Sequence, residues 1–467
     1  MSFPSYPRYQ DSGSEWLGHV PAHWEVTKLS YISSRIGSGK TPTGGAETYV
    51  PSGVVFIRSQ NVHDDGLRLD DVVFISESMD KEMAWSRVKP LDVLLNITGA
   101  SIGRTCLVPA GFLPANVNQH VCVIRLEQPE SHAKWVSLAM TSAATKSQVD
   151  INQTGAAREG LNFEQVSDFL ICVPPCEERR QIARFLNHET AKIDALIREQ
   201  ERLIELLQEK RQAVISHAVT KGLDPDVPMK DSGVEWLGEV PAHWEIRKLS
   251  TITDKITNGY VGPTRGLFTD EGVRYLQSLH IKNNEIRFNQ PYFVPVEWSN
   301  DHSKSILKEG DVLIVQTGDI GQSAVVTREF AGSNCHALIV VSAIQPILDG
   351  NYLSWVLNSP YGKNTLLSIQ TGALHPHLNC GYVKDVWIPL PPIDEQRRIV
   401  DQLQSELTSF QSLTEQASAM AGILRERRSA LISAAVTGKI DVRDWQPPAD
   451  ESAFDEEVRH AGLETTA

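Results

Sequence analysis

Long apolar runs are missing from this sequence. Although 41% of the residues are hydrophobic, no stretch approaches the ~18 consecutive apolar residues that a membrane-spanning helix needs. The first residues, MSFPSYPRYQDSGSEW, also lack the basic lead and the apolar core of a secretory signal. We therefore expect a globular protein of the cytoplasm that has no membrane partner.

Cysteine is scarce, with 6 in 467 residues. This number fits a reducing compartment better than a fold held by disulfides. Cys172 and Cys176 lie close together in the sequence, but no second pair follows them, and zinc ligands normally come in closely spaced pairs. We predict no metal site at these cysteines.

Positive charge is in deficit, because the net charge is −14. A basic patch is the usual electrostatic footprint of a nucleic-acid-binding protein, so this balance argues against such a role. Part of the negative excess lies at one end, where PPADESAFDEEVRHAGLETTA holds six acids and one arginine. A local basic cleft can coexist with a global negative charge, so DNA binding stays open.

Enzyme signatures are absent too. The sequence has no Gly-x-Gly-x-x-Gly after a strand, no His-Glu-x-x-His, no Gly-x-Ser-x-Gly and no methyltransferase loop of the Asn-Pro-Pro-Tyr type. RIGSGKT, at residues 35–41, approaches a phosphate loop, but Ser34 stands where the pattern requires its first glycine. We expect a non-catalytic chain with no cofactor of its own. A nucleotide-dependent enzyme that uses this loop is the alternative.

The sequence does contain one unit twice. DSGSEWLGHVPAHWEVTKLS, at residues 11–30, and DSGVEWLGEVPAHWEIRKLS, at residues 231–250, agree at 16 of 20 positions. Weaker matches follow in the same order, from LDVLLNITGASIG and GDVLIVQTGDIG to RQAVISHAVTKG and RSALISAAVTGK. Because long internal repeats indicate a doubled architecture, we expect two like domains.

In each unit a β-rich part precedes a long helix. Short runs such as VVFIRS and HVCVIRL alternate with Gly and Asn turns, which is typical of strands. Residues 177–220 contain no Pro or Gly and follow a Pro-Pro pair, which predicts a helix about 66 Å long. Residues 394–437 repeat this pattern with one interruption, Gly422.

Both predicted helices carry an apolar stripe with the heptad spacing of a coiled coil. The third stripe position is an acid and the ninth a base in each helix. An antiparallel pair would set Glu189 opposite Arg427 and Lys210 opposite Glu406, whereas a parallel pair would oppose like charges. We therefore predict an antiparallel coiled coil with these two pairs. The alternative is that each stripe packs on its own globular part.

The predicted fold is α+β, with two tandem mixed α/β domains that are each followed by a long helix and related by a pseudo-twofold. The first domain is placed at 1–172 and the second, with its linker, at 223–389. The helices are placed at 173–222 and 390–440, and an acidic, disordered tail at 441–467.

Candidate contact residues lie where the two copies share a frame but differ in polar side chains. FIRSQNV, from Phe56, corresponds to YLQSLHI, from Tyr275, with different polar residues at the inner positions. Arg can make two hydrogen bonds to guanine, and Asn or Gln can make two to adenine. The alternative at each position is ordinary hydrogen bonding within a loop. The glycines of NITGASIGR and VQTGDIGQ permit close approach of another chain. The candidates are Lys40, Arg58, Gln60, Asn61, Thr98, Arg104, Arg158, Tyr260, Gln277, His280, Lys282, Thr317, Gln322 and His375.

The repeated order of motifs resembles a known family. Trp-Leu-Gly-x-Val-Pro-x-His-Trp, the glycine turn that begins Thr-Gly, and the Pro-Pro opening of a long helix each occur twice. Over residues 11–440 the chain resembles the DNA-specificity subunit of type I restriction-modification systems. His375 and His377 could suggest a metal, but the first copy lacks both histidines, so none is predicted.

The resemblance implies that each globular part is a target-recognition domain that reads one half of a split DNA site. The helices would set the gap between the half-sites. Two modification subunits would bind the chain and carry S-adenosylmethionine and the methylation chemistry, and restriction motor-nuclease subunits would join them. The negative net charge suggests that partners make part of the phosphate contacts. A coiled-coil adaptor without DNA contact is the alternative.

The tryptophan motif, residues 15–25 and 235–245, is nearly identical in its two copies. Positions that do not vary cannot distinguish two half-sites, so this motif is expected to be common framework. We expect Trp16, Trp24, Trp236 and Trp244 to pack each domain against the helices, beside a surface shared by partners.

Overall fold

The computed structural model describes residues 3–109, 111–112, 114–153, 160–372 and 375–448. The chain forms two compact units, of which the first consists of Met1–Gln200 and Ala419–Ala467 and the second of Glu201–Ser418. Each long helix gives one half to each unit, so the units cut across the linear boundaries that were predicted from the sequence. Within the described ranges, no helix is both long enough and apolar enough to cross a bilayer.

The first unit is built from short strands and short helices before its long helix. The strands are β1 (Tyr9–Asp11), β2 (His19–Pro21), β3 (Glu25–Lys28), β4 (Ser33–Ser38), β5 (Val54–Ile57), β6 (Val62–His63), β7 (Gly66–Leu67), β8 (Val73–Ile75), β9 (Val93–Asn96), β10 (Thr105–Leu107), β11 (Ala115–Val117), β12 (Val121–Leu126) and β13 (Leu170–Val173). The helices are α1 (Glu77–Glu82), α2 (Pro129–Met140), α3 (Ala143–Asn152), α4 (Phe163–Ser167) and the shared α5 (Cys176–Lys221).

The second unit repeats this series. The strands are β14 (Met229–Asp231), β15 (Glu239–Pro241), β16 (Glu245–Lys248), β17 (Thr253–Asn258), β18 (Val273–Leu276), β19 (Ile281–Lys282), β20 (Glu285–Ile286), β21 (Phe293–Val294), β22 (Val312–Val315), β23 (Ser323–Val325), β24 (Asn334–Cys335), β25 (Leu338–Ala343) and β26 (Trp387–Leu390). The helices are α6 (Val296–Asp301), α7 (Gly350–Asn358), α8 (Pro360–Ser368), α9 (Cys380–Val383) and the shared α10 (Ile393–Val436).

The sheets of the two units have the same strand order. An antiparallel sheet runs β10-β9-β12-β4 in the first unit and β23-β22-β25-β17 in the second. A smaller sheet, β11-β5-β8 or β24-β18-β21, contains one parallel pair in each unit. The doubled sequence therefore folds as a doubled topology, and its mixture of helices and sheets agrees with the predicted α+β class.

The central strands are buried on both faces. In β9, Val93 and Leu95 belong to one apolar cluster and Leu94 to another, because successive side chains of a strand point to opposite faces. In β22, Leu313 and Ile314 divide between two clusters in the same way. This two-sided burial explains the consecutive apolar residues of both strands, Val93–Leu95 in β9 and Val312–Val315 in β22.

The long helices begin and end within one residue of the Pro-free segments 177–220 and 394–437 that the sequence predicts to be helical. α5 spans Cys176–Lys221 and α10 spans Ile393–Val436. Each starts directly after a Pro-Pro pair and carries two acids in its first turn. Carboxylates are favourable there because the N-terminal end of a helix is partially positive, and proline is tolerated because its missing N–H has no helical partner.

The heptad stripe is partly wrong in the middle of the helices. Leu196, Leu203, Leu413 and Met420 were predicted to be in the seam, yet these side chains are 51%, 43%, 47% and 48% exposed. Ile197, which follows Leu196, is buried instead. A straight α-helix drifts by about 20° per heptad from a strict seven-residue repeat, so the buried face moves to neighbouring positions.

Within the first unit, α5 and α10 meet through apolar and charged side chains. Ile193, Ile197 and Leu424 form one apolar cluster, and Arg428 Nε lies 2.8 Å from Asp194 Oδ1. The predicted partners Glu189 and Arg427 line the same cavity of about 430 Å³. The Glu189 carboxylate lies 3.8 Å from Lys192 Nζ on its own helix. Asp194 and Arg428 thus form an ion pair between the helices.

Within the second unit, the two helices share a larger apolar cluster. Ile215 and Val219 of α5 belong to it together with Ile399 and Leu403 of α10. The ammonium group of Lys210 lies 5.8 Å from the ring of Phe410, which is one turn beyond the predicted partner, Glu406. Glu406 Oε1 accepts a hydrogen bond from Gln402.

The predicted disordered tail is wrong for residues 441–448. Val442 is buried, and the ring of Trp445 packs edge-on against Phe185 of α5 with centroids 5.3 Å apart. Asp441 N–H also donates to the carbonyl of Pro4 at 2.7 Å. The buried Val442 and the half-buried Trp445 fix the segment in the first unit. Residues 449–467, which hold most of the acids, lie outside the described residues.

Candidate nucleic-acid interface

The FIRSQNV and YLQSLHI segments form the same turn in the two units, but one polar residue in each faces inward. Asn61 Oδ1 accepts from Arg58 N–H, and its Nδ2 donates to the Arg68 carbonyl, both at 2.9 Å. His280 Nδ1 accepts from Gln277 N–H at 2.9 Å, and its Nε2 donates to the Gln290 carbonyl at 2.8 Å. Buried groups with satisfied partners cannot face a base. The structure therefore corrects the prediction that Asn61 and His280 contact DNA.

The protonation of His280 follows from these contacts. Because Nδ1 accepts a hydrogen bond, the single ring proton is on Nε2. Burial lowers the pKa of His280, since it disfavours the charged imidazolium, although the Gln290 carbonyl acts in the opposite direction. The histidine is therefore a neutral part of the turn.

The other polar residues of these segments reach the surface. The Arg58 guanidinium donates to the Asp71 carbonyl at 2.7 Å and lies 3.6 Å from the Asp71 carboxylate. Gln60 is exposed and donates to the same carboxylate. In the second unit Gln277 is half-buried and Lys282 is exposed. These four side chains remain candidates for DNA contact.

Matched glycines place the candidates Lys40 and Tyr260. A Cβ at Gly39 would overlap the carbonyl of Val117, and a Cβ at Gly259 would lie 2.6 Å from Cys335 Sγ. Each glycine thus lets its chain cross closely over a buried strand, and the next residue emerges beside it. Lys40 is exposed. Tyr260 is held against two aromatic residues, with its ring centroid 5.0 Å from Trp298 and 4.9 Å from His302.

The phosphate-loop alternative disagrees with this geometry. Ser33–Ser38 form strand β4, and the first α-helix after it in the described residues begins at Glu77. A phosphate loop instead joins a strand directly to a helix whose N-terminal amides hold the phosphates. The alternative of a nucleotide-dependent enzyme therefore loses its structural basis.

A cleft in the second unit brings three predicted residues together. Its volume is about 720 Å³. The glycine loop Thr317–Gly321 forms one wall, and Gly318 and Gly321 take the left-handed conformation, with φ of 84° and 85°. Thr317, Gln322 and His375 line this cleft. They are joined there by Lys363 and Gln370, which the search for differing side chains missed because both residues recur in the first copy.

The matching region of the first unit is only partly described. Thr98 Oγ1 shares a hydrogen bond with His120 Nδ1, and Arg104 is exposed. Asn96 Nδ2 donates to the Ser59 carbonyl at 2.7 Å, which ties the glycine loop Thr98–Gly103 to the turn that carries Gln60. The candidate Arg158 lies outside the described residues.

Metal ligands are not assembled at this surface. Among the described residues, no group of three or more His, Cys, Asp or Glu side chains is arranged to hold a metal ion. His375 lines the cleft, while His377 Nδ1 lies 3.2 Å from the carbonyl of His375.

The tryptophan motif is clamped to the first turn of each long helix by one carboxylate. Glu178 accepts from Trp24 Nε1 at 2.9 Å and from His23 Nε2 at 2.7 Å. Glu395 makes the same two contacts with Trp244 and His243, at 3.1 and 2.9 Å. In the first unit the hydroxyl of Tyr6 also donates to Glu178, at 2.6 Å. The two glutamates hold the frame together, and the sequence analysis did not select them.

The four tryptophans of the motif behave differently. Trp24 and Trp244 are buried, as predicted for framework residues. Trp16 is half-buried, and Trp236 is 51% exposed, so the expectation that Trp236 packs against the helices is wrong. Trp16 and Trp236 lie in matched short hairpin loops, one in each unit. Backbone hydrogen bonds such as Ser232 N–H to the Gly238 carbonyl hold the loop, and the indole takes no part in them.

Comparison with known proteins decides the family. The family described as "Type I restriction modification DNA specificity domain" matches residues 21–206 and again residues 241–419. The chain belongs to the type I restriction-modification DNA specificity family. Each match begins inside a tryptophan motif and ends within a long helix, so the two family domains coincide with the two copies of the repeat.

Two relatives that are named as specificity subunits cover 91% and 71% of this chain. The MjaVIII specificity subunit of Methanocaldococcus jannaschii is 22% identical over 440 residues, which are 91% of this chain and 95% of that protein. The EcoBI specificity subunit of Escherichia coli is 23% identical over 340 residues, 71% of each chain. A chain solved in a study of the assembly and conformational transition of a type I R-M system superposes with a TM-score of 0.66 at 17% identity. That superposition covers 89% of this chain and 98% of the other.

Proposed function

We propose that this chain is the sequence-specific DNA-binding and scaffold subunit of a type I restriction-modification complex. Each unit would read one half of a bipartite, asymmetric DNA site. The observation that carries the proposal is one frame built twice, with the same strand order and the same clamped tryptophan motif. Its exposed polar residues differ between the copies, as two readers of different half-sites require.

The candidate contacts support direct reading of bases. Arg58 in the first unit and Gln277 in the second occupy matched places in the turn, and arginine favours guanine whereas glutamine favours adenine. Lys40, Gln60, Thr98 and Arg104 in the first unit extend this surface. Tyr260, Lys282, Thr317, Gln322 and His375 do so in the second.

We propose further that α5 and α10 pair as an antiparallel coiled coil whose length sets the gap between the half-sites. In the first unit, Leu186 of α5 shares a cluster with Ile432 of α10, whereas Ile193 shares one with Leu424. As α5 advances, its partners on α10 recede, which is the relation expected of antiparallel helices. The same helices also pack on the globular parts, since Leu186 and Trp24 lie in one cluster.

The catalytic functions would lie on partner subunits. Two modification subunits would bind the two equivalent frames and supply S-adenosylmethionine and adenine methylation, and restriction motor-nuclease subunits would complete the complex. The relatives are named as specificity subunits of restriction enzymes, which supports a non-catalytic role. The exposed Trp236 and the half-shielded Trp16 occur in matched loops and are candidates for the surface that modification subunits recognise.

Methylome sequencing tests the proposal directly. A host that carries only this chain and its modification subunits should gain adenine methylation at one sequence made of two specific parts and a fixed gap. Methylation without a bipartite sequence would contradict two readers on one chain. Footprinting of the same complex separates this function from a coiled-coil adaptor, since an adaptor would leave no protected half-sites.

A further inference from the structure

Two lysines occupy the same place in the two units. Lys146 lies on α3 and Lys363 on α8, four residues after the matched serines Ser142 and Ser359. Each serine is the N-cap of its helix, and its side chain accepts a hydrogen bond from a backbone N–H three residues later. The shared cap shows that the two lysines are equivalent in the structure as well as in the sequence.

Both lysines lie beside the glycine loop of their unit. Lys146 Nζ donates to the carbonyl of Gly103, the last residue of the first glycine loop, at 2.5 Å. Lys363 lines the cleft whose wall contains the second glycine loop. The candidates Thr317, Gln322 and His375 line the same cleft, so the ammonium group stands among side chains predicted to meet DNA.

The counter-charge of this lysine differs between the units. Lys146 Nζ lies 3.0 Å from the Asp64 carboxylate. In the second copy Asn283 takes the place of Asp64. The sequence HDD at residues 63–65 aligns with KNN at residues 282–284. Asp319 is the one carboxylate among the described residues that line the cleft, and it is exposed.

A framework ion pair of the same repeat keeps both of its members. Lys28 pairs with Asp168 at 2.6 Å, and its counterpart Lys248 pairs with Asp385 at 2.8 Å. Of the pair Lys146–Asp64, only the lysine recurs in the second copy. A purely structural ion pair does not explain why the base is retained when the acid is replaced.

We propose that Lys146 and Lys363 contact the DNA phosphate backbone, one in each reader, and that Asp64 restrains the first of them. This inference rests on the proposed function. A phosphate contact fixes the position of the protein without reading sequence, so it can be identical in two readers of different half-sites. An ammonium group suits this role because it binds phosphate as a compact point charge. Asp64 and phosphate would compete for Lys146, whereas Lys363 has no matched competitor.

The test replaces Lys363 in the complex with the modification subunits. Two duplexes of equal length serve as probes. One contains the bipartite sequence that methylome sequencing identifies, and the other lacks it. We expect Lys363→Ala to weaken binding of both duplexes by the same factor, up to about tenfold. The slope of log K against log salt should become shallower by about one. Lys384→Ala, which removes an exposed lysine from the same unit with no basic counterpart in the first copy, is the control.

Three outcomes would overturn the proposal. Unchanged affinity and slope in Lys363→Ala would exclude a phosphate contact. A changed half-site sequence would make Lys363 a base reader. An equal loss in Lys384→Ala would make the effect one of general charge. The affinities of the complex without substitutions for the two duplexes are measured in the same series. If that complex does not prefer the duplex with the bipartite sequence, the result counts against the proposed function and not against the lysine contact.

Asp64→Asn tests the restraint in the first unit. The amide oxygen of the introduced asparagine can still accept from Thr105 N–H, which Asp64 Oδ1 now does at 2.9 Å. Only the charge opposite Lys146 is removed, and the residue becomes that of the second copy. We expect both duplexes to bind more tightly, with a steeper salt slope. Equal binding, in a variant with an unchanged melting temperature, would show that Asp64 does not restrain Lys146.

Discussion

Asn61 and His280 show how one residue position is decided by its surroundings. The sequence correctly indicates a shared frame with different polar residues in the two copies, but it does not indicate which of them face outward. Asn61 and His280 differ in chemistry and still make the same two kinds of hydrogen bond, one to a backbone N–H and one to a carbonyl. Their burial depends on chain segments some ten residues away, such as Gln290, and a local pattern does not contain that information.

A pH series tests the buried histidine. The pKa of His280 is lowered in the folded protein, so the unfolded chain binds more protons as the pH falls below its usual value of 6.5. Stability from the neutral histidine is present above that pH and is lost as the pH falls toward the folded pKa. We expect the melting temperature to fall between about pH 7.5 and about pH 5.5.

His280→Asn, which installs the residue of the first copy, provides the comparison. Asparagine can keep both hydrogen bonds of the turn and cannot titrate, so the variant should lose less stability over the same range. A pH dependence identical to that of the protein without the substitution would show that folding does not lower the pKa of His280.

The glutamate clamp is a second test at the level of one residue. Glu178→Ala would leave the buried Tyr6 hydroxyl and the Trp24 indole N–H without their acceptor. Each unsatisfied buried group costs about 1–3 kcal/mol, so we expect a loss of at least about 2 kcal/mol in the free energy of unfolding.

Glu177→Ala is the matched control for the clamp. Its side chain is 85% exposed and pairs with Arg180, one turn along the helix, so its loss should change stability by less than about 1 kcal/mol. Chemical denaturation measures both variants. Similar losses for the two would mean that the clamp contributes no more than a surface pair.

Among the elements, the long helices are predicted best and their seam least well. The absence of Pro, the near absence of Gly and the Pro-Pro start locate α5 and α10 because these signals are local. The seam depends on the small rotation of the buried face at each heptad, which adds up over some forty residues. For this reason the predicted seam residues Leu196 and Met420 are exposed. The order of strands in the sheets follows no local signal either, although the repeat predicts correctly that both units share it.

Two glycines in different elements should respond to alanine in opposite ways. At Gly422, inside α10, nothing lies within 4 Å of an added Cβ. Alanine there should raise the free energy of unfolding by up to about 1 kcal/mol, because glycine is the poorer helix former. At Gly39 the added Cβ would overlap the Val117 carbonyl, so the strand must move and we expect a loss of at least about 2 kcal/mol. Chemical denaturation of the two alanine variants measures both changes in the free energy of unfolding. Equal effects at Gly422 and Gly39 would contradict the close contact between Gly39 and the Val117 strand.

For the whole molecule, the repeat is the feature from which most follows. It predicts two like domains, the long helices and the family, since the order of motifs is far more specific than any one of them. The recognised bases do not follow, because the candidate residues act only through their docked geometry and through DNA shape. Arg58, for example, has a partner in Asp71 within its own unit.

The negative charge of the chain leads to a prediction about its complex. With a net charge of −14, the chain should leave part of the phosphate contacts to the modification subunits. The slope of log K against log salt should therefore be steeper for the complex than for the isolated chain, because each added phosphate contact releases counterions. Equal slopes and equal affinities would contradict this division of contacts.

Exchange of one reader tests the central claim most directly. Strands β3 and β13 pair with Val26 opposite Cys172, so residues 26–172 can be replaced by those of a related specificity subunit without separating this pair. The tryptophan motif up to Glu25 and the whole of α5 remain in place. Methylome sequencing of a host with the exchanged chain should show one half of the bipartite sequence changed and the other half and the gap unchanged. A change in both halves, or in neither, would contradict two independent readers on one doubled frame.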